Sequence, residues 1–420
     1  MLINKSYRYE LNPNNKQITS FKKACGIARF AWNWGLSQRK ELYQTKQGDE
    51  RFTNYCKQNK ELNILKKIKY DWMYEASKWV SQLALRNLEE AYVNYYRGKK
   101  RHETIGEPKF KKKHLNDRFT IRNDNFHQNK QLIQIKPNSI RIPKISWVKT
   151  KESTNKLKGK IISITVSRLG DRWFCSVNVK LHIPSPNHIT GDIIGIDVGI
   201  KKFATISNGL IYRQVLSPKP NLSYLNRIKL LNKRQSRMKI GSSNYYANSL
   251  KLSKLFGRIS NIRKDFLSKL SSELAKTKSV ICIEDLNIEG IKKNHHLARS
   301  VGDEGWGIFR RMLEYKTGWY GSELIIIPRF EPSSKRCNSC GTINHNLKLS
   351  DRTWVCLNCG AINDRDPNAA NNIRDKGIEL LSTDSLSGLQ ACGVDVRPSS
   401  LMAVNCEAGS KPIYLQGCNK

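Results

Sequence analysis

Acidic side chains are scarce in this sequence: Asp and Glu number 35 against 74 Lys and Arg, a net charge of +39 and a pI near 9.9. A chain that is merely soluble and basic would lose stability to self-repulsion, so the imbalance calls for a polyanionic partner. The charge runs along the whole length rather than in one tail, which points to a protein wrapped around a long nucleic acid. Long apolar runs are missing too. No stretch of 18 apolar residues could span a bilayer, and "MLINKSYRYE" has neither a signal-peptide core nor a basic amphipathic anchor. No membrane role is therefore expected, and the expected location is the cytoplasm. Cysteine is present as an odd count of 11, which excludes a fully paired disulfide framework. Seven of them (Cys25, Cys56, Cys175, Cys282, Cys392, Cys406, Cys418) are scattered and read as free thiols in a reducing compartment.

With 420 residues the chain can fill two or three cores. "LINKSYRYEL" alternates as a strand, and Pro13 with its Asn neighbours makes a turn. Ile18, Phe21, Cys25, Ala28, Trp32 and Leu36 then recur at helical spacing, and helical character continues to about residue 97. The Lys-rich "GKKRHETIGEPKFKKKHLNDR" reads as a solvated linker. From Phe119 the period becomes two, with strands in "RFTIRND", "QLIQIKPNSIRIPKI" and a hairpin "IISITVSRLGDRWFCSVNVKL" turning at Leu169–Asp171. A first strand separated from this run by helices suggests a small barrel with an inserted helical lobe. A few of the lobe's aromatics beside Lys or Arg could stack on bases. After "HIPSPNH", strands ("DIIGIDVGIKKFATISNG", "SVICIEDLNI", "SELIIIPRF") alternate with helices, the pattern of an α/β domain. Leu255, Ile259, Ile262, Phe266, Leu270 and Leu274 line one helical face.

Three acids stand out in this basic chain. Asp197 interrupts an apolar strand flanked by Gly195 and Gly199, and Glu284 ends another; buried carboxylates are costly unless paired or bound to a cation. Asp285 would face away from Glu284, because strand side chains alternate. Asp366, before Pro367, is a natural N-cap for the last helix, and a capping carboxylate still has a free oxygen. Two strand-borne acids and one helix-borne acid suit a nuclease of the ribonuclease H type, in which carboxylates hold two Mg²⁺ about 4 Å apart. The four cysteines give a more specific signal. Cys337-x₂-Cys340 and Cys356-x₂-Cys359, 15 residues apart, match a closed structural zinc site. Gly341 and Gly360 follow where each knuckle favours positive φ.

"GIDVGIKKFAT", "IEDLNI", "WGIFRRMLEYK", "PSSKRCNSCG" and "DRTWVCLNCGAINDRDPNAANNI", in this order, closely resemble TnpB, the RNA-guided nuclease of bacterial insertion sequences and relative of miniature type V CRISPR effectors. The likeness extends from residue 1 to about 375 and includes "YELNPNNKQ…GIARFAWNWGL", long labelled a helix-turn-helix. It implies an α+β multidomain fold: a wedge β-barrel over 1–185 with a recognition lobe inserted at about 14–105, a RuvC-like (ribonuclease H fold) nuclease domain over 190–330 and 363–376, and a zinc ribbon over 331–362. Residues 377–420 are expected to be a loosely ordered tail. It also implies catalytic acids at Asp197, Glu284 and Asp366, two Mg²⁺ and one Zn²⁺. The implied partners are a guide RNA from the element end and a double-stranded DNA target with a short adjacent motif. Two positions depart from the family pattern: Asn363 stands where His is common, and Pro367 where Pro is not. The second leaves Asp364 as a fallback third ligand. The rival readings are a catalytically silent guide-dependent repressor, a transposase using a helix-turn-helix, and a standalone CRISPR effector. All three acids being present weighs against the first, and the Tyr7–Tyr9 strand before the helices weighs against the second.

Overall fold

A computed structural model describes the chain except for residues 103–104, 114–116, 124–131, 201, 213–219, 288–289, 292–304, 349–350 and 388–420. It divides into two compact units, residues 1–183 and 184–420.

The first unit is a seven-stranded antiparallel sheet with a helical insertion. Strand β1 (Leu2–Asn12) is followed by helices α1 (Asn15–Thr45), α2 (Tyr55–Ile68) and α3 (Lys78–Lys100). Strands β2 (Arg118–Arg122), β3 (Gln134–Lys136), β4 (Ser139–Ile142), β5 (Ser146–Thr150), β6 (Lys160–Leu169) and β7 (Arg172–His182) complete it, in the order β2-β6-β7-β1-β5-β4-β3. The first strand thus lies inside the sheet, paired with β7 from Leu2↔His182 to Leu11↔Trp173. A capping box starts α1: Asn14 accepts the Gln17 amide at 2.9 Å, and Gln17 accepts the Asn14 amide at 3.1 Å. The face predicted for this helix is the buried one, and Phe21 packs its ring against Phe119 and Trp173. The expected solvated linker departs from that reading at one point. Trp32 Nε1 donates to the Lys109 carbonyl, Asn33 pairs with the Lys111 backbone, and Lys111 Nζ lies 3.5 Å from the Trp32 ring. The Lys111 stem is half-buried against α1, which a count of charges cannot reveal.

The second unit is a five-stranded sheet of order β10-β9-β8-β11-β12 between helices. Its strands are β8 (Ile193–Val198), β9 (Ala204–Ile206), β10 (Ile211–Tyr212), β11 (Val280–Glu284) and β12 (Glu323–Ile327). Helices α4 (Pro220–Gln235) and α5 (Ser243–Thr277) precede β11, and α6 (Trp306–Tyr320) precedes β12. A short hairpin, β13 (Thr353–Val355) and β14 (Ile362–Asp364), leads into α7 (Arg365–Ser387). Strands β8, β11 and β12 are parallel. Alternation sends Ile194, Ile196, Ile281 and Ile283 to one face, against Leu267, Leu270 and Leu274 of α5 and Phe309 and Leu313 of α6. The opposite face, with Val280, Cys282 and Ile327, takes Ile373 of α7.

Helix α7 runs past the predicted end at residue 376. The reason is packing: Leu380 and Leu381 join the core around Cys282, and Gly377 has no Cβ to collide with the Cys282 sulfur. The remainder of the expected tail, from residue 388, lies outside the described residues. Gly195 sets the closest approach. A Cβ there would overlap the Ala370 carbonyl oxygen and the Arg374 amide, so only glycine lets α7 lie directly on β8. Gly195→Ala should therefore cost at least ~2 kcal/mol in urea unfolding. Gly318→Ala, within α6 and facing open space, should be neutral or stabilising.

Candidate active site and metal centre

The β8–β11 register ends at Ile283↔Ile196, so the next step sets Glu284 level with Asp197. Side chains at one level of neighbouring parallel strands share a face, with backbones about 4.8 Å apart. That face is the one α7 covers, and Asp366 lies in the first turn of α7. The three predicted acids are thus brought together. Burial, then the charges of Glu284 and Asp366, push the Asp197 carboxyl up to about 7. Burial also raises Glu284, against a hydrogen bond that the Ser333 hydroxyl donates to its Oε1. Asp366 is flanked by Lys202 Nζ at 3.4 Å and Arg352 Nη1 at 3.5 Å. These cations pair with one carboxylate, and the three acids do not converge as tightly as the thiols described below.

Two details of the sequence reading change. Asp366 does not precede the helix as its N-cap; α7 begins at Arg365, so Asp366 and Pro367 both fall within the first turn, where a missing amide hydrogen costs nothing. Asp364 is exposed on β14 opposite Thr353, and Asp366 is the acid that Asp197 feels. Asp285 turns away from Glu284 as expected, held by Arg310 and Arg329, whose hydrogen bonds pull its carboxyl down.

The cysteines form a separate site. All four sulfurs lie within 4.8 Å of one another, with Cys337 3.7 Å from Cys359 and Cys340 3.5 Å from Cys356. Tetrahedral thiolates 2.3 Å from zinc would sit ~3.8 Å apart, so the donor set fits. The two knuckles repeat one pattern. The amides of Cys337 and Cys356 donate to Thr342 and Ala361, and those of Gly341 and Gly360 return to the carbonyls of Cys337 and Cys356. Both glycines have positive φ, 77° and 69°. The Thr342 side chain and backbone pull Cys340 down to about 5, which favours the thiolate. Asn363 is buried with its Nδ2 3.6 Å from the Cys337 sulfur. Its amide takes part in the zinc site rather than the carboxylate site.

Sequence reasoning did not find Lys202 or Ser333, because nothing local marks a partner that only the fold brings close. It also passed over Asn368 and Asn372, although their i, i+4 spacing on α7 was a readable sign of one shared face.

Residues 306–373 match the family model described as "Cas12f1-like, TNB domain", residues 176–295 that of a "Probable transposase", and residues 1–48 that of a "Helix-turn-helix domain". A Streptomyces pristinaespiralis protein named "Putative RNA-guided DNA endonuclease" is 31% identical over 400 residues, 94% of this chain and 92% of its own. The same description is given to InsQ of Escherichia coli K12, 28% identical over 393 residues, 90% of this chain and 93% of its own. "TnpB-like protein L79" of Acanthamoeba polyphaga mimivirus is 28% identical over 172 residues, 40% of this chain and 29% of its own. The chain belongs to the TnpB family. In this TnpB family member the helix-turn-helix description does not fit residues 1–48, which form strand β1 and the single 31-residue helix α1. No helix among the described residues is long and apolar enough to cross a membrane.

The raised Asp197 carboxyl has a measurable consequence. The folded chain keeps a proton that the unfolded chain releases near pH 4, so the site costs stability increasingly up to about pH 7. In magnesium-free buffer, Asp197→Asn should be more stable than the native protein by about 2–4 kcal/mol at pH 8. The gap should close towards pH 4 in thermal unfolding. The native protein should carry one zinc per chain by atomic emission, and Cys356→Ser should lose it.

Proposed function

We propose that the protein is an RNA-guided, Mg²⁺-dependent DNA endonuclease of a transposable element. The observation that carries this reading is the level placement of Asp197 and Glu284 on adjacent parallel strands, with Asp366 at the start of the helix lying over them. Three carboxylates gathered so that Glu284 and Asp366 raise the cost of ionising Asp197 are a set of hard donors short of a cation, which suits Mg²⁺. Two such ions, when bound, would supply an activated water and stabilise the leaving oxygen of a phosphodiester. The protein's part is to hold the donors: β8 and β11 fix Asp197 and Glu284, the first turn of α7 brings Asp366, and Ser333 orients Glu284. Lys202 and Arg352, now beside Asp366, are placed to take phosphate oxygens once that carboxylate turns to a cation.

In this reading the second unit is a RuvC-like nuclease with a structural zinc ribbon. The sheet of the first unit is a wedge barrel carrying a recognition lobe, a view supported by Asn123. At the end of β2, its Oδ1 accepts the Ile133 amide just before β3, linking the two outer strands of the pairing order. The partners would be a guide RNA from the element end and a double-stranded DNA with a short adjacent motif. Base pairing would read the sequence while the protein reads duplex shape and that motif. The +39 charge supports a partner of this kind, and the names of the full-length relatives agree with it. A cytoplasmic location follows from such a target.

The test is to express the protein with its flanking element sequence, sequence the RNA that copurifies, and assay matched DNA with Mg²⁺. A discrete bound RNA and guided cutting are expected; absence of bound RNA would overturn the guided reading. Asp197→Ala and Asp366→Ala should each lower cutting by at least ~100-fold while keeping RNA, and Asp364→Ala should cut normally.

A further inference from the structure

Between the zinc knuckle and the carboxylates runs a hydrogen-bonded path that no part of the zinc chemistry requires. Ser333, 6% exposed, donates its hydroxyl to Glu284 Oε1. Its carbonyl accepts from Asn372 Nδ2 at 2.7 Å, and the same amide donates to the Arg336 carbonyl at 2.7 Å. Asn372 Oδ1 accepts from Asn338 Nδ2 at 3.1 Å, and Asn338 lies inside the first knuckle between Cys337 and Cys340. One turn earlier on α7, Asn368 Nδ2 donates to Arg336 O at 2.7 Å and its Oδ1 accepts the Asn338 amide at 2.9 Å. Asp366 is two residues before Asn368.

We propose that the first knuckle and the Pro332–Cys337 segment form a gauge that sets where the Glu284 and Asp366 carboxylates stand, with Ser333, Asn368 and Asn372 as its positioning residues. The proposal rests on those carboxylates being the divalent-cation site proposed above.

The geometry favours a gauge over mere satisfaction of a loop backbone. Both hydrogens of the Asn372 amide are committed, to two carbonyls of one segment. The Arg336 carbonyl takes one bond from each asparagine, which uses both of its lone pairs. Apolar residues at 368 and 372 could bury as much surface, but they would not fix the register of α7 along the knuckle. These bonds fix it, because a shift of one residue breaks all of them. At the other end the Ser333 hydroxyl holds one carboxylate oxygen of Glu284, the acid whose charge helps to raise Asp197. A third strut runs from Asn363, beside the Cys337 sulfur, to Asp366 three residues later. The zinc knuckle is thus tied to Glu284 through Ser333 and to Asp366 through α7. Partners that orient metal ligands typically govern affinity by 10–100-fold.

The test uses Mn²⁺ as probe, with its binding to the full chain followed by electron paramagnetic resonance, beside the Mg²⁺ dependence of cutting. Ser333→Ala should keep its zinc, weaken Mn²⁺ binding about tenfold and raise the half-saturating Mg²⁺ by a similar factor. Ser333→Thr, which retains the hydroxyl, should restore both. Asn372→Ala should weaken Mn²⁺ binding at least as much. If it also loses zinc, Ser333→Ala, which touches only the Glu284 end, decides. Native-like Mn²⁺ affinity in Ser333→Ala, while Asp197→Ala abolishes binding, would overturn the gauge and leave the cation site standing. Unchanged Mn²⁺ binding in Asp197→Ala would overturn the cation site itself.

Discussion

The approach of α7 to β8 at Gly195 is the constraint on which the second unit depends. A helix backbone in contact with a strand backbone requires a residue without a Cβ at that level, and further along the helix Gly377 leaves room for the Cys282 side chain. With α7 so close, its first turn reaches the C-terminal ends of β8 and β11, where the two strand carboxylates stand side by side. A side chain at position 195 would lift the helix and take Asp366 away from the other two acids. Packing at a glycine therefore decides an electrostatic outcome some distance along the same helix.

That outcome is a local reversal of the chain's overall charge. Lys and Arg exceed Asp and Glu by 39, yet three carboxylates meet where burial and mutual repulsion hold one of them up to about 7. Arg365 and Arg352 offset part of the repulsion without removing it. Metal preference divides cleanly between the two sites. Thiolates gathered by knuckle geometry favour zinc and leave no open position, while carboxylate oxygens favour a harder cation. The asparagines of α7 connect the two sites mechanically although their chemistries differ.

Much of this was legible in the sequence for identifiable reasons. Alternation marked β1, β6 and β7; helical spacing marked the buried face of α1; and cysteine spacing with its following glycines marked both knuckles, down to the sign of φ. The acids stood out because an apolar strand has no cause to carry one. Helix start and end were read less well. Asp366 looked like an N-cap because Pro367 suggested a first helical position, but the hairpin β13–β14 hands the chain into the helix two residues sooner. The end was set by Leu380 and Leu381 packing on Cys282, a contact between segments about 100 residues apart that no local pattern encodes. Asp364 lies exposed on β14 while Asp366 sits in the first turn of α7, a difference of placement that no local pattern encodes.

The central claim is that Asp197, Glu284 and Asp366 form one divalent-cation site. It is tested most directly by anomalous scattering from crystals of the protein soaked in Mn²⁺. The account predicts manganese density bridging the carboxylates of Asp197 and Glu284, with Asp366 turned from Lys202 and Arg352 to join it. Density at Asp364 in place of Asp366, or none at the ends of β8 and β11, would contradict it.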